Sequence, residues 1–341
     1  MSLAARTLGS EMIGGAKNTS DRLSRRDALV WGAGAAASVL RGGASKEGRL
    51  IAQERAVPTK AQAPRGYIDA HVHVWTPDTT RYPLAAGFSK ENMRPQSFTP
   101  EQLFSHARPC GVTRVVLIQM SFYRYDNSYM LDTIARFPGV FAGVGIVDSE
   151  RTDAPMVMDT LAAKGVRGFR LAPGDRDAET FFGSEGMAKM WRHGADRDLA
   201  MCPLINPAVL PVIDRMCSRF PETKVVIDHF GRVGIDGTIR DEDLNRLCGL
   251  ARHRLVHVKV SAFYALGKKA PPYEDLAPMI RRLVEAFGPE RLMWASDCPF
   301  QVEDGHSYRA SIDLIEDRLP FLISADREWL LRRTAEKVFF S

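Results

Sequence analysis

Tyr67-Ile-Asp-Ala-His-Val-His-Val-Trp75 is the stretch whose reading decides the fold. Alternate residues of a strand face opposite sides, so the pattern predicts a polar row of Asp69, His71 and His73 in front of an apolar row of Ile68, Ala70, Val72 and Val74. Two imidazoles on an inward row each need a partner for their ring nitrogens, which points to a cleft whose contents occupy them. The competing reading is a pair of half-exposed histidines on an edge strand. The rest of the chain has to decide between the two.

Working outward from that strand, one unit recurs. An irregular connection, 76–99, is long enough to cover a site. Thr99-Pro-Glu-Gln102 is a capping-box helix start with Gly111 as its stop, and Arg114 to Gln119 is a short apolar run of buried-strand type. Helices are expected over 127–137, 154–164, 185–197, 207–220, 241–252, 273–287 and 325–339, with strands over 140–147, 166–171, 199–205, 224–229, 255–261 and 291–297. Eight strands alternating with helices predict a parallel sheet closed into a (β/α)8 TIM barrel, an open doubly wound sheet being the alternative. No Gly-x-Gly-x-x-Gly follows the first strand and no Walker-type lysine loop is present, so dinucleotide and P-loop functions lack their fingerprints.

The chain has 341 residues, 45% of them hydrophobic, with a net charge of +5. That charge is not spread evenly. Residues 1–65 hold eleven Lys/Arg against five Asp/Glu, while 66–341 hold thirty-five against thirty-six, so the main domain offers no electrostatic footprint for nucleic acid. Ser24-Arg-Arg-Asp-Ala-Leu-Val30 precedes an Ala-rich apolar run to Leu40 that is too short to span a bilayer. It resembles a twin-arginine export signal, which makes 1–65 a leader and linker, 66–341 the barrel domain, and the periplasm the expected location, with the cytoplasm as alternative. Five cysteines, 110, 202, 217, 248 and 298, include no close pair and predict no disulfide framework.

In a barrel of this kind chemistry sits at the C-terminal ends of the strands. His71 and His73 end the first. Ser121, Tyr123 and Arg124 follow the second, Arg170 ends the fourth and Asn206 follows the fifth. His229 ends the sixth, Lys259 and Ser261 the seventh, and Asp297 the eighth. A lone polar residue at a strand end is unremarkable. His-x-His, His and Asp together at ends one, six and eight are harder to dismiss.

Ile68-Asp-Ala-His-Val-His73, Gly165-Val-Arg-Gly-Phe-Arg170, Val226-Ile-Asp-His-Phe-Gly-Arg232, Val258-Lys-Val-Ser261 and Trp294-Ala-Ser-Asp-Cys-Pro299, in that order, resemble the amidohydrolase superfamily. The likeness is to its lactonase branch, which includes 2-pyrone-4,6-dicarboxylate lactonases, 4-sulfomuconolactone hydrolases and sugar-acid lactonases, and it spans nearly all of 67–341. It implies His71, His73, His229 and Asp297 as catalytic groups and, where a metal is bound, as its ligands. Binuclear members carry further ligands on strands four and five, where this chain has Arg170 and Asn206. One zinc ion, or catalysis without metal, is therefore implied, and two ions are not.

The expected reaction is hydrolytic opening of a lactone, with Asp297 as general base and the histidines polarising the carbonyl. A zinc-dependent decarboxylase on the same scaffold and a periplasmic binding protein are the other classes. Arginine's planar fork suits a carboxylate or sulfonate, so Arg170, Arg124 and Arg232, with Ser121, Tyr123, Asn206 and Lys259, favour a small anionic lactone over a neutral sugar lactone. Ala262-Phe-Tyr-Ala-Leu266 lacks the arginine that the resemblance places there in dicarboxylate lactonases. That departure turns the expectation to a 4-sulfomuconolactone-type substrate of aromatic-compound catabolism, with a sugar-acid lactonase as alternative. No nucleic acid and no stable membrane association are expected; a monomer and a homodimer both stay open.

Overall fold

The computed structural model describes residues 66–341; the expected export leader with Arg25-Arg26, and its linker, lie outside the described residues. Eight strands, β1 (Tyr67–Val72), β2 (Val112–Ile118), β3 (Phe141–Gly145), β4 (Val166–Leu171), β5 (Ala200–Pro203), β6 (Val225–Ile227), β7 (Val256–Ser261) and β8 (Leu292–Ala295), pair in parallel in sequence order. Eleven α-helices are α1 (Pro100–Ala107), α2 (Ser128–Arg136), α3 (Ala154–Ala162), α4 (Ala178–Gly183), α5 (Glu185–Asp196), α6 (Leu210–Arg219), α7 (Asp241–Gly249), α8 (Ala277–Phe287), α9 (Tyr308–Asp317), α10 (Ser324–Glu328) and α11 (Thr334–Phe339), counted among the described residues. This is a (β/α)8 TIM barrel, as the alternation predicts. The capping box forms as read: Thr99 Oγ1 accepts from Gln102 N, and Gln102 Oε1 accepts from Thr99 N. The sequence pattern misses α4 and α9.

Two cores hold the barrel. Outer faces of the strands pack under the helices, whereas Ile68, Ala70, Val116, Ile118, Val144, Ala200, Val226 and Met293 fill the barrel interior. Ala335, Val338 and Phe339 of α11 join that inner cluster and plug the N-terminal mouth of the barrel. Gly168 on β4 shows how tight this wall is. A Cβ there would stand 2.9 Å from the Ala200 carbonyl oxygen of β5, so a side chain would push the two strands apart.

The first strand departs from simple alternation. Asp69 pairs with Val115 and Val72 with Leu117, so three steps on β1 match two on β2, a bulge at Ala70 and His71. Both of these residues face inward, His73 follows them, and Asp69 is turned the other way. The expected single row of Asp69, His71 and His73 is thus corrected. Asp69 reaches the helical layer, where its Oδ2 accepts 2.6 Å from Tyr308 OH of α9.

The seam between β8 and β1 is closed by few bonds, and they lie at the site. Asp297 N donates to His71 O and His73 N to Cys298 O, each at 2.9 Å. Asp69 Oδ1 takes Ser296 N at 2.9 Å and His71 N at 3.1 Å. One buried carboxylate therefore ties the bulge to β8 and fixes where His71 points.

Candidate active site

The bulge and the seam bring His71, His73 and Asp297 to one point. His71 Nε2 lies 3.2 Å from His73 Nε2, and Asp297 Oδ1 lies 3.4 Å from each. His73 Nδ1 is 2.8 Å from the Ile118 carbonyl, so it must carry the proton and leave Nε2 with a lone pair. Asp297 Oδ1 is buried with no hydrogen-bond partner. Three potential ligand atoms thus converge on one point.

This arrangement fits a metal ion. A tetrahedral zinc with nitrogen and oxygen ligands at about 2.0–2.1 Å spaces them roughly 3.3–3.4 Å apart, which matches the three observed edges and leaves a fourth position open. His229 stands outside the triangle, its Nε2 3.7 Å from Asp297 Oδ2 and its ring centroid 4.3 Å from that of His71. Its Nδ1 lies 2.8 Å from Ser261 Oγ.

Burial sets the protonation states. It pushes His71 well below the usual imidazole value, with Lys259 adding to the effect, and it lowers His229 as well. Burial alone would raise the Asp297 carboxyl, but His229 opposite it, the contact with His73 and the nearby His71 outweigh that and hold it well below the usual carboxylate range. At pH 7 Asp297 is a carboxylate, and the rings of His71 and His229 are neutral.

Beneath the cluster is a buried ion pair. Lys259 and Asp228 are both fully buried, with Nζ 2.9 Å from Asp228 Oδ1. Both groups approach His71 Nδ1, Lys259 Nζ at 3.2 Å and Asp228 Oδ1 at 3.3 Å, so the pair lies where an outer carboxylate commonly supports a metal-binding histidine. Lys259 lies under His71 and off the cavity lining.

Above the cluster opens a cavity of about 310 Å³ lined by His73, His229, Asp297, Ser121, Arg170, Arg232, Tyr264 and Phe300, among others. Arg170, at the end of β4, has its Nε buried and without a hydrogen-bond partner. Arg232 lies half-buried on the same lining, and removal from water lowers its pKa. Arg124 faces a neighbouring hollow, which Ser121 and Arg170 also line. Tyr123 is packed among Phe122 and Tyr129, and Asn206 is exposed beyond β5; neither reaches the cavity.

Backbone strain collects at the site. His229 (φ 49°), Phe230 (55°), Gly231 (61°) and Arg232 (59°) run left-handed in succession, and Asp297 (65°) and Ala262 (57°) do so at the ends of β8 and β7. For each residue other than glycine this conformation costs on the order of 1–3 kcal/mol. Five such residues persist only where the surrounding packing holds them and where aiming His229, Arg232 and Asp297 is worth the strain.

Two groups have no signal in the sequence pattern. Tyr264 OH donates 2.7 Å to Asp297 Oδ2, and Asp228 Oδ1 approaches His71 Nδ1 to 3.3 Å from below. Tyr264 lies in a segment singled out only for the arginine it lacks. Asp228 sits one residue before His229, where alternation turns it to face Lys259.

Comparison with known proteins agrees with this geometry. L-fucono-1,5-lactonase of Burkholderia ambifaria is 30% identical over 246 residues, 70% of this chain and 82% of its own. A 4-sulfomuconolactone hydrolase of Rhizobium radiobacter is 29% identical over 248 residues, 72% of this chain and 79% of its own. A solved amidohydrolase structure from Burkholderia multivorans with bound zinc shares the fold, with a TM-score of 0.67, 22% identity, and coverage of 80% of this chain and 99% of that one. A family model described as amidohydrolase matches residues 68–340, almost the whole barrel, and the chain therefore belongs to the amidohydrolase family.

Proposed function

We propose that this enzyme opens the ring of a lactone that carries an acidic group on that ring, the class to which 4-sulfomuconolactone belongs. The observation that carries the reading is Arg170. Its buried, unpartnered Nε shares a cavity wall with Arg232, across the space from the His71, His73 and Asp297 triangle. A buried guanidinium N–H without a partner is costly, and a carboxylate or sulfonate on the substrate would complete it. A neutral sugar lactone would leave it unpaired.

His71, His73 and Asp297 would hold one divalent ion, with zinc the best match to a donor set of two nitrogens and one oxygen. When bound, that ion supplies a Lewis acid able to polarise an ester carbonyl. The chain's own groups do the rest. Asp297 takes a proton from water as the water oxygen adds to the lactone carbonyl carbon. The ring carbon–oxygen bond then breaks and that proton passes to the departing ring oxygen, leaving a hydroxy acid. Tyr264 OH holds Asp297 Oδ2, which turns Oδ1 toward the two histidine nitrogens. Phe300, whose ring centroid is 5.9 Å from that of His73, forms an apolar wall that limits bulk water.

The test is the initial rate of acid release from a panel of anionic and neutral lactones, for the purified enzyme and for Asp297→Asn. Anionic lactones are expected to react faster, and the substitution to lower kcat by roughly 100-fold or more, as for loss of a general base. A neutral sugar lactone as the best substrate would move the assignment to the sugar-acid lactonases. Asp297→Asn activity within a few-fold of the parent would remove the base from the mechanism.

A further inference from the structure

Beside the catalytic cavity lies a second hollow of about 710 Å³, more than twice the 310 Å³ of the first. Ser121, Ile146, Arg170 and Ala172 line both, so the two spaces adjoin with Arg170 at the junction. The catalytic cavity alone falls at the lower end of the roughly 300–1,000 Å³ typical of small-molecule sites, enough for a single-ring lactone with its acidic group. The proposed reaction leaves the larger hollow unused.

Its lining is aromatic and basic. Phe88, Tyr125 and Phe181 contribute rings, and Arg124, Arg170 and Arg176 contribute guanidinium groups against the single carboxylate of Asp175. Arg124 lies 5.7 Å from the Phe88 ring centroid and Arg176 4.2 Å from that of Phe181, while Arg176 Nε also donates to the Pro173 carbonyl. Arg176 Nη2 donates to the Ala172 carbonyl as well, which leaves its Nη1 for an oxyanion, while Arg124 lies beside its ring. Tyr125 is 49% exposed at this hollow, one of few large aromatic or aliphatic side chains so exposed among the described residues. Rings flanked by excess positive charge, open to a reaction centre, match one kind of occupant.

We infer that this hollow is a subsite for an aromatic arm of the substrate that ends in an acidic group, so that the lactone opened here is larger than a single ring. The ring of the arm lies among Phe88, Tyr125 and Phe181, and its acid meets Arg124 and Arg176. Arg170, at the junction, serves the acidic group on the lactone itself. This inference rests on the lactonase reading and names the substrate class for it.

The experiment uses two synthetic lactones with the same carboxylated ring, one of them extended by a carboxyphenyl arm. Ring opening is followed for the intact protein and for Tyr125→Ala and Arg176→Ala, both exposed positions, with circular dichroism as the check on folding. The armed lactone should have a kcat/KM about ten-fold or more above the single-ring one, and each variant should bring that ratio to within about two-fold of unity. A ratio at or below one in the intact protein, or one that neither variant changes, overturns the subsite while lactone opening stands. If neither lactone opens, the lactonase reading falls and takes the subsite with it.

Discussion

Tyr264 OH donates a 2.7 Å hydrogen bond to Asp297 Oδ2, the oxygen turned away from the two histidine nitrogens. The carboxylate is thereby oriented: Oδ2 is anchored and Oδ1 faces His71 Nε2 and His73 Nε2. Tyr264→Phe keeps the ring against Phe300, whose centroid is 6.3 Å away, and removes only the donor. Loss of one charge-assisted hydrogen bond of about 1.5–3 kcal/mol predicts a fall of roughly 10–150-fold in kcat/KM with little change in thermal stability. A loss below about three-fold in steady-state kinetics would mean that the strained backbone alone positions Asp297.

Metal analysis separates His229 from the triangle. Protein purified without chelator should carry one divalent ion per chain, and His73→Ala should lose it, whereas His229→Ala should retain it because its Nε2 stands off the three converging atoms. Two ions per chain, or loss of the ion in His229→Ala, would overturn the ligand set. Stripping the ion with chelator should abolish turnover, and restoring zinc should bring it back.

The fully buried Lys259 and Asp228 pair makes a stability prediction. Lys259→Met leaves the Asp228 carboxylate without its counter-ion in the barrel interior, and breaking one side of a buried pair costs about 3–5 kcal/mol. Urea unfolding should report that loss, and adding Asp228→Asn should recover part of it. Equal stability of Lys259→Met and the parent would show that water reaches Asp228.

His257 gives a pH prediction away from the chemistry. Burial lowers its pKa from 6.5 to about 4, while Nδ1 donates to the Leu255 carbonyl. The unfolded chain accepts a proton that the buried ring refuses, so acid favours unfolding. The contribution is intact above pH 6.5, and about 3 kcal/mol is lost as the pH falls to 4. His257→Asn should show a shallower fall in unfolding free energy across that window; parallel curves would contradict the assignment.

Much of this was legible in the sequence because buried parallel strands read as short apolar runs, and each of the eight appears within a few residues of its expected place. His71, His73, His229 and Asp297 could be named because they end strands. The bulge at Ala70 and His71 could not be read, since register is set by the neighbouring strand and leaves no mark in the side-chain pattern. Asp69 was therefore placed on the wrong face. α9 follows an irregular stretch after β8 and was missed, and with it Tyr308, the outer partner of Asp69. Lys259 ends the seventh strand with Ser261, but a strand-end position says nothing of depth, and its place below His71 is set by Asp228 beside it.

The measurement that tests the central claim most directly is kcat/KM for ring opening of a matched anionic and neutral lactone by the parent and by Arg170→Ala. If the unpartnered Arg170 guanidinium receives the acidic group, the substitution should cost about 2–4 kcal/mol of transition-state binding, roughly 30–1,000-fold, for the anionic lactone and little for the neutral one. Equal losses on both, or a neutral lactone preferred by the parent with Arg170→Ala harmless, would contradict it.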